Sequence, residues 1–232
     1  MDRGKNLAQE IAAFRNKFNE TVIECQKFCY ITRAKELQVQ ARDRLIPLKA
    51  EAGQIKEKTI AGMYEDAANA MLSYEEMTEA LINELSMWIA LKDDEPAAAW
   101  DFLVDAQMSA ITAMQAHSVA DHLEGYSMHL SALEKHMFPN HGFCSIGAIV
   151  RKSECSVCGQ EYGECDHLKG RPYMGRICAE HVKEFELEEV SIVFNPGIKH
   201  CRITSIIDDE GITRDTLTWK VIANTSYPQG EA

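Results

Sequence analysis

The chain has 232 residues, of which 46% are hydrophobic and 26% are charged, and this balance predicts one or two globular domains with substantial cores. The formal net charge of −12 argues against nonspecific nucleic-acid binding, because such binding depends on Lys and Arg displacing phosphate counterions. The N-terminal stretch MDRGKNLAQEIAAF lacks the apolar core of a secretory signal, and no apolar run is long enough to span a membrane. We therefore expect a cytoplasmic protein that does not contact a membrane.

The first part of the chain has the apolar periodicity of long helices. No proline or glycine occurs from Lys5 to Ile46, and apolar residues there recur at intervals of three and four, which predicts one continuous helix. Pro47 and Gly53 interrupt this pattern. The same spacing then resumes and predicts a second long helix over 60–88.

Two further helices are predicted before the composition changes. One begins at Pro96, where Asp94 or Glu95 is placed to cap it, and should end near residue 120. The other is shorter, covers 121–137 and is followed by the turn-forming stretch FPNHG. Residues 1–137 are therefore predicted to form a helical bundle, or a pair of long helical hairpins, that serves as an assembly domain.

The part of the chain after residue 142 is rich in short β-type runs and turn residues. The stretch DDEG at 208–211 indicates a hairpin. We therefore predict an α+β fold, with a zinc-binding β-rich domain over 142–223 and a flexible tail over 224–232. The predicted strands cover 145–150, 189–194, 201–207 and 217–223.

Five of the eight cysteines fall in the stretch from Cys144 to Cys178. In a reducing compartment, such crowding indicates a metal site in preference to disulfides. Cys155 and Cys158 form a Cys-x2-Cys pair, whose tight turn directs two sulfurs at one point, as zinc coordination requires. Gly159 follows directly, and glycine readily adopts the backbone conformation that turns amides back toward the sulfurs.

The second pair of zinc ligands is ambiguous. Cys165 and His167 complete a local set of four, whereas Cys178 and His181 would complete a Cys-x2-Cys plus Cys-x2-His site. Both pairs cannot serve one zinc, and we favour the local set, with Cys178 as the first substitute. Four protein ligands leave no open coordination position, so the predicted Zn²⁺ is structural and performs no hydrolysis. The alternatives are a two-metal cluster with shared ligands, a three-ligand site whose water could react, and a group of reduced core cysteines without a metal.

The histidines outside this cluster are less informative. His122, His129 and His136 are spaced by seven residues, which places them on one helix face but about 10 Å apart, too far for one metal. Only His117 and Asp121, four residues apart, could share an ion. We expect these histidines to lie at the surface or at an interface.

The sequence of residues 142–205 is similar to that of a known protein family. GFCSIGAIVRK, the cysteine cluster with CDHLKGRPYMG, and LEEVSIVFNP resemble the last part of phage prohead (capsid maturation) proteases. In that family a serine lies in a strand that reads like SIG, and some members carry a Cys-rich insertion before the EVSLV strand. The resemblance places Ser145 at the nucleophile position. The family takes its histidine partner from an upstream strand, whereas the upstream region here is helical, so the resemblance implies a fragment of a protease fold reused as a scaffold.

Three functions are compatible with these features. The first is a non-enzymatic interaction or assembly protein that binds a protein partner, or itself, through the N-terminal helices, with a phage or phage–host conflict context that is implied only by the resemblance. The second is a serine protease of prohead type, which would need a histidine within reach of Ser145. The third is a nucleic-acid-binding zinc module, although the negative net charge argues against nucleic acid as a partner. Its candidate contacts are Arg151, Lys152, Lys169, Arg171, Tyr173 and Arg176.

Overall fold

A computed structural model describes residues 2–222 and confirms the predicted α+β fold, with five α-helices followed by small antiparallel sheets. The predicted flexible tail, 224–232, lies outside the described residues. The α-helices are α1 (Asp2–Cys25), α2 (Lys35–Ala61), α3 (Glu65–Lys92), α4 (Pro96–Ala116) and α5 (Glu124–Met137). The strands are β1 (Phe143–Cys155), β2 (Pro172–Tyr173), β3 (Arg176–Ile177), β4 (Glu180–Val193), β5 (Ser205–Ile207) and β6 (Thr213–Asp215).

The prediction of one continuous helix over residues 5–46 was wrong. The chain leaves α1 after Cys25, forms a short 3-10 turn and begins α2 at Lys35. The stretch FCYITR in this turn is rich in aromatic and β-branched residues, which have lower helix propensity. The buried side chain of Gln38 fixes the turn, because its amide donates to the carbonyls of Phe28 and Tyr30 at 2.9 and 3.0 Å.

The remaining helix boundaries differ from prediction by smaller amounts. Pro47 lies inside α2, which continues without a break to Ala61, and the second predicted helix begins at Glu65 instead of residue 60. The start of α4 at Pro96 is confirmed. Its end lies at Ala116, earlier than predicted, because His117 takes an extended conformation and opens a 3-10 turn that leads into α5.

The helices form two adjoining hydrophobic cores. In the first, aromatic side chains of α1 pack edge-on against α3, with Phe18 and Tyr74 ring centroids 4.8 Å apart. The second is centred on Trp100 of α4, which is 1% exposed, and on Leu130 of α5. Phe143 at the start of β1 belongs to this second core, with its ring 6.0 Å from that of Trp100. The bundle and the β-rich part therefore share buried contacts.

The main β element is a long antiparallel pair, β1 with β4, which runs from Phe143↔Val193 to Cys155↔Glu180 with three register shifts. The predicted DDEG hairpin is confirmed, because β5 pairs with β6 across this turn. The predicted strand over 217–223 was wrong for its described part. The Asp215 carboxylate accepts the backbone N–H groups of Leu217 and Thr218, which bends this segment into a turn.

The β2–β3 turn docks the cysteine-rich segment on the bundle. Gly175 in this turn has φ +74°, and its N–H donates to Asn69 Oδ1 of α3 at 2.8 Å. A β-carbon at this glycine would lie within 3.3 Å of atoms of Lys56 and Ile60 on α2, so the close approach itself requires glycine. Within residues 2–222, no helix combines the length and apolar character that a membrane crossing needs.

Candidate metal centre

Four side chains converge at the end of β1 that is remote from Phe143. The thiols of Cys155, Cys158 and Cys165 and a ring nitrogen of His167 all lie within 4.8 Å of one another. Thiolate sulfur and imidazole nitrogen are the ligands that zinc prefers in tetrahedral sites, and four of them complete the coordination shell. This group can therefore hold a metal ion with no coordination position left for water or substrate.

A tight turn after β1 places the first two thiols. Gly159, at φ +73°, donates its N–H to the Cys155 carbonyl at 2.8 Å and closes this turn. The turn also directs the Val157 N–H at Cys155 Sγ, with a nitrogen–sulfur distance of 3.4 Å. Burial of Cys155 acts to raise its pKa, but hydrogen bonds from the backbone N–H groups of Cys158 and Val157 and from the thiols of Cys158 and Cys165 together lower the pKa to about 6. The turn thus favours the thiolate form, which is the form that binds metal.

His167 has the features of a nitrogen ligand. Its Nδ1 atom is buried and has no hydrogen-bond partner within the described residues. Its ring packs edge-on against Tyr173, with centroids 4.6 Å apart, and the Tyr173 hydroxyl accepts the Leu168 N–H at 3.0 Å. A buried, unpaired imidazole nitrogen is costly unless it has a partner, and a metal ion at the centre of the cluster would supply one.

Cys178 lies beside the same cluster and is a fifth candidate ligand. Its thiol is 1% exposed and lies 3.8 Å from Cys155 Sγ. Zinc–sulfur bonds of about 2.3 Å would separate two sulfurs of a tetrahedral site by about 3.8 Å, so this spacing also fits coordination. Two backbone hydrogen bonds hold Cys178 there, since Gly170 N–H donates to its carbonyl and its own N–H donates to Arg171 O, each at 2.8 Å.

The neighbouring thiols of Cys155 and Cys178 differ in their pKa values. Burial, followed by the neighbouring Cys155 thiol, raises the pKa of Cys178 to about 11, so its thiolate is harder to form without a metal. Neither Cys178 nor His181 is a member of the group within 4.8 Å, and His181, the other predicted substitute, is exposed in β4 opposite Glu154. The geometry thus brings together the favoured local set, with Cys178 in contact with one of its thiols and His181 outside it.

Ser145 lies in the exposed part of β1, opposite Ser191 of β4. Within residues 2–222, none of the hydrogen bonds joins Ser145 to a histidine. His141 is engaged elsewhere, since its Nδ1 lies 2.7 Å from the Pro139 carbonyl and its ring packs on Trp100. His200 Nε2 lies 3.0 Å from Asp105 Oδ1. The catalytic role that the resemblance implies for Ser145 stays a prediction.

Several basic residues around the metal cluster are paired with acidic ones. Arg151 contacts Glu186 at 2.6 Å, and Lys169 lies 3.6 Å from Glu180. Tyr173 uses its hydroxyl to hold the ligand loop, as described above. These contacts reduce the positive charge that a nucleic-acid phosphate would meet at this surface.

A second polar cluster, which sequence analysis did not identify, lies in the bundle. Glu84 is 1% exposed and accepts the Tyr126 hydroxyl at 2.9 Å, while its other oxygen lies 3.1 Å from His129 Nε2. Hydrogen bonding to Glu84 raises the pKa of His129, and burial raises that of Tyr126. The cluster borders a cleft of about 540 Å³. Glu84 occupies an otherwise apolar helix face between Leu81 and Leu85, and this interruption is the sequence signal that points to it.

The other histidines of the bundle do not form a metal site with Asp121. His117 Nε2 instead lies 3.3 Å from Asp66 of α3, and its Nδ1 accepts the Val119 N–H at 3.0 Å. In the part of the chain that the structure describes, the cluster around Cys155 is the one group of three or more metal-ligating side chains. Comparisons of the chain with family models, curated proteins and solved structures give no match in any of the three.

Proposed function

We propose that this protein is a non-enzymatic interaction protein whose β-rich part is stabilised by one structural Zn²⁺. The observation that carries the proposal is the set of four protein ligands at Cys155, Cys158, Cys165 and His167, all within 4.8 Å. A catalytic zinc keeps one position for water, whereas four protein ligands fill the tetrahedron. The ligand set therefore favours a metal that holds the chain together.

The need for such a metal follows from the small size of the β-rich part. A two-stranded sheet is marginally stable alone in water, and β1 and β4 are paired only with each other over most of their length. Binding of zinc to a site that exists only in the folded state adds directly to folding stability. In this proposal the metal ties the Cys155 end of the sheet to the ligand loop, which the Gly175–Asn69 hydrogen bond docks on the bundle.

The interaction part of the proposal is supported by exposed apolar side chains on β1 and β4. Ile146, Leu187 and Val190 are each more than half exposed. Contiguous apolar patches of this kind mark protein–protein contacts in soluble proteins. The resemblance to prohead proteases favours a role in phage assembly or in a phage–host conflict system, with the protease-like segment used as a scaffold.

Metal analysis of the purified full-length protein tests the proposal. We expect about one zinc per chain after purification without chelators, and tetrahedral thiolate spectra when cobalt(II) replaces zinc. Cys158→Ser should lose most of the metal, whereas Cys201→Ser, which changes an exposed thiol outside the cluster, should retain it. Less than about a tenth of an equivalent in the unmodified protein would refute a tightly held structural metal.

A further inference from the structure

One face of the β1/β4 pair carries four consecutive apolar cross-strand pairs. Alternate residues of a strand share a face, and residues paired across two strands share it as well. The register shift after Gly147 skips Glu188 in β4, so Leu187 pairs with Ala148 and follows Val190 along this face. The pairs on this face contain no charged residue. We call the eight residues the apolar ladder: Cys144↔Ile192, Ile146↔Val190, Ala148↔Leu187 and Val150↔Phe185.

Most of the apolar ladder is in contact with solvent. Leu187 is 55% exposed, Phe185 56% and Val190 61%, and Phe194 extends the surface at 79% exposed. Together the large side chains of this face expose on the order of 800 Å², about the area that each partner contributes to a standard stable interface. Such an area is large for a surface that stays in water.

The contact between the sheet and the bundle does not involve the apolar ladder. Phe143 and Val193, which pair on the opposite face of the sheet, contact the core around Trp100. The next pair there is polar, with Ser145 opposite Ser191. The sheet thus meets the bundle core through one terminal pair, and the apolar ladder lies on the other face.

We propose that the apolar ladder binds the apolar ladder of a second copy of this chain, an inference that rests on the proposed interaction function and names its partner. A two-fold axis parallel to the strands, between two stacked sheets, would place β1 of each copy over β4 of the other. The two sheets would stack about 10 Å apart, as in a β-sandwich.

The side-chain sizes fit this arrangement. In three of the four pairs the β1 residue is smaller than its β4 partner, as Ala148 is smaller than Leu187 and Val150 is smaller than Phe185. Under the two-fold axis each small residue faces a large one of the other copy, which is how packed layers interdigitate. The apolar ladder also carries no charge that would repel an identical surface or select an oppositely charged protein.

Sedimentation of the zinc-loaded full-length protein tests the inference. We expect a dimer at about 100 μM protein, a concentration that saturates an interface with a micromolar Kd. Leu187→Glu should raise the dimer Kd by about 100-fold or more, because the contact would bury an unpaired carboxylate. Ile149→Glu is the matched control, since Ile149 is also exposed but lies on the opposite face across from Glu186, and this variant should remain dimeric.

A size exchange tests the two-fold arrangement itself. Ala148→Leu alone should weaken the dimer by placing two leucines opposite each other, and the double variant Ala148→Leu/Leu187→Ala should restore it. A monomeric wild type that contains one zinc per chain would overturn the dimer while leaving the metal proposal intact. A dimer that Leu187→Glu leaves unchanged would also overturn it, because self-association would then use another surface, such as the N-terminal helices.

Discussion

Asn69 offers a test of whether the helical bundle holds the metal-binding segment in place. Its Oδ1 accepts the Gly175 N–H at 2.8 Å, and both residues are buried. Gly175 lies between the candidate ligands His167 and Cys178 in the chain. Asn69→Ala would leave the Gly175 N–H buried without an acceptor, which costs about 1–3 kcal/mol. We expect the free energy of unfolding of the zinc-loaded protein to fall by this amount.

The same substitution should weaken zinc binding, although Asn69 is not a ligand. If the bundle fixes the loop in the binding conformation, a loss of 1–3 kcal/mol in docking lowers metal affinity by up to about 5–150-fold. Guanidinium unfolding followed by circular dichroism measures the first effect, and competition with a chromogenic chelator measures the second. Asn19→Ala is the matched control, because Asn19 is an exposed helical asparagine of α1.

Two results would contradict this role of Asn69. A decrease in unfolding free energy below about 0.5 kcal/mol, which is typical of surface substitutions, would show that the hydrogen bond does not hold the turn. A zinc affinity equal to that of Asn19→Ala, despite a clear loss of stability, would show that the turn and the ligands are independent of each other.

Three further predictions concern the bundle and the ligand turn. The hydrogen bond to Glu84 raises the pKa of His129, so the stabilisation from this contact is fully present below the unfolded pKa of about 6.5 and is lost as pH rises through the folded pKa. In chemical unfolding, the free energies of wild type and His129→Gln should therefore differ more near pH 6 than near pH 9. Leu130→Ala, at a fully buried position, should lower the free energy of unfolding by about 2–5 kcal/mol in the same assay. Gly159→Ala should reduce zinc affinity in chelator competition, because the open space around this glycine leaves only the left-handed backbone, at about 1–2 kcal/mol, to oppose the substitution.

The parts of the fold that sequence analysis predicted are those set by local chemistry. Proline at the first turn fixed the start of α4, and the DDEG stretch produced the β5–β6 hairpin. The break between α1 and α2 was missed because a distant side chain sets it. Gln38 is buried and satisfies the carbonyls of Phe28 and Tyr30, and this contact exists only when the helices pack as a hairpin.

The candidate metal site also combines a feature set by local sequence with one set by a distant contact. The Cys155 turn follows from the Cys-x2-Cys-Gly pattern, which acts over a few residues. The position of Cys178 beside Cys155 depends on a turn that Asn69 anchors from a separation of 106 residues, so the local pattern favoured Cys165 and His167 and could not predict that contact. The apolar ladder was not predicted either, because alternation in β1 is weak and its partners in β4 become visible only through the register.

The positions of the proposed metal and of the apolar ladder on one sheet connect the two proposals. The bundle anchors the β1/β4 pair at Phe143, whereas Cys155 and Glu180 form its opposite end beside the metal ligands. The apolar ladder lies between these two anchors, on strands that have no other support over most of their length. Loss of the metal would therefore fray the sheet from the Cys155 end and disorder Val150 and Phe185 before it disturbs Cys144 and Ile192. In this arrangement zinc binding and self-association are thermodynamically coupled. The dimer should therefore bind zinc more tightly than the monomer, and zinc should strengthen the dimer by the same factor.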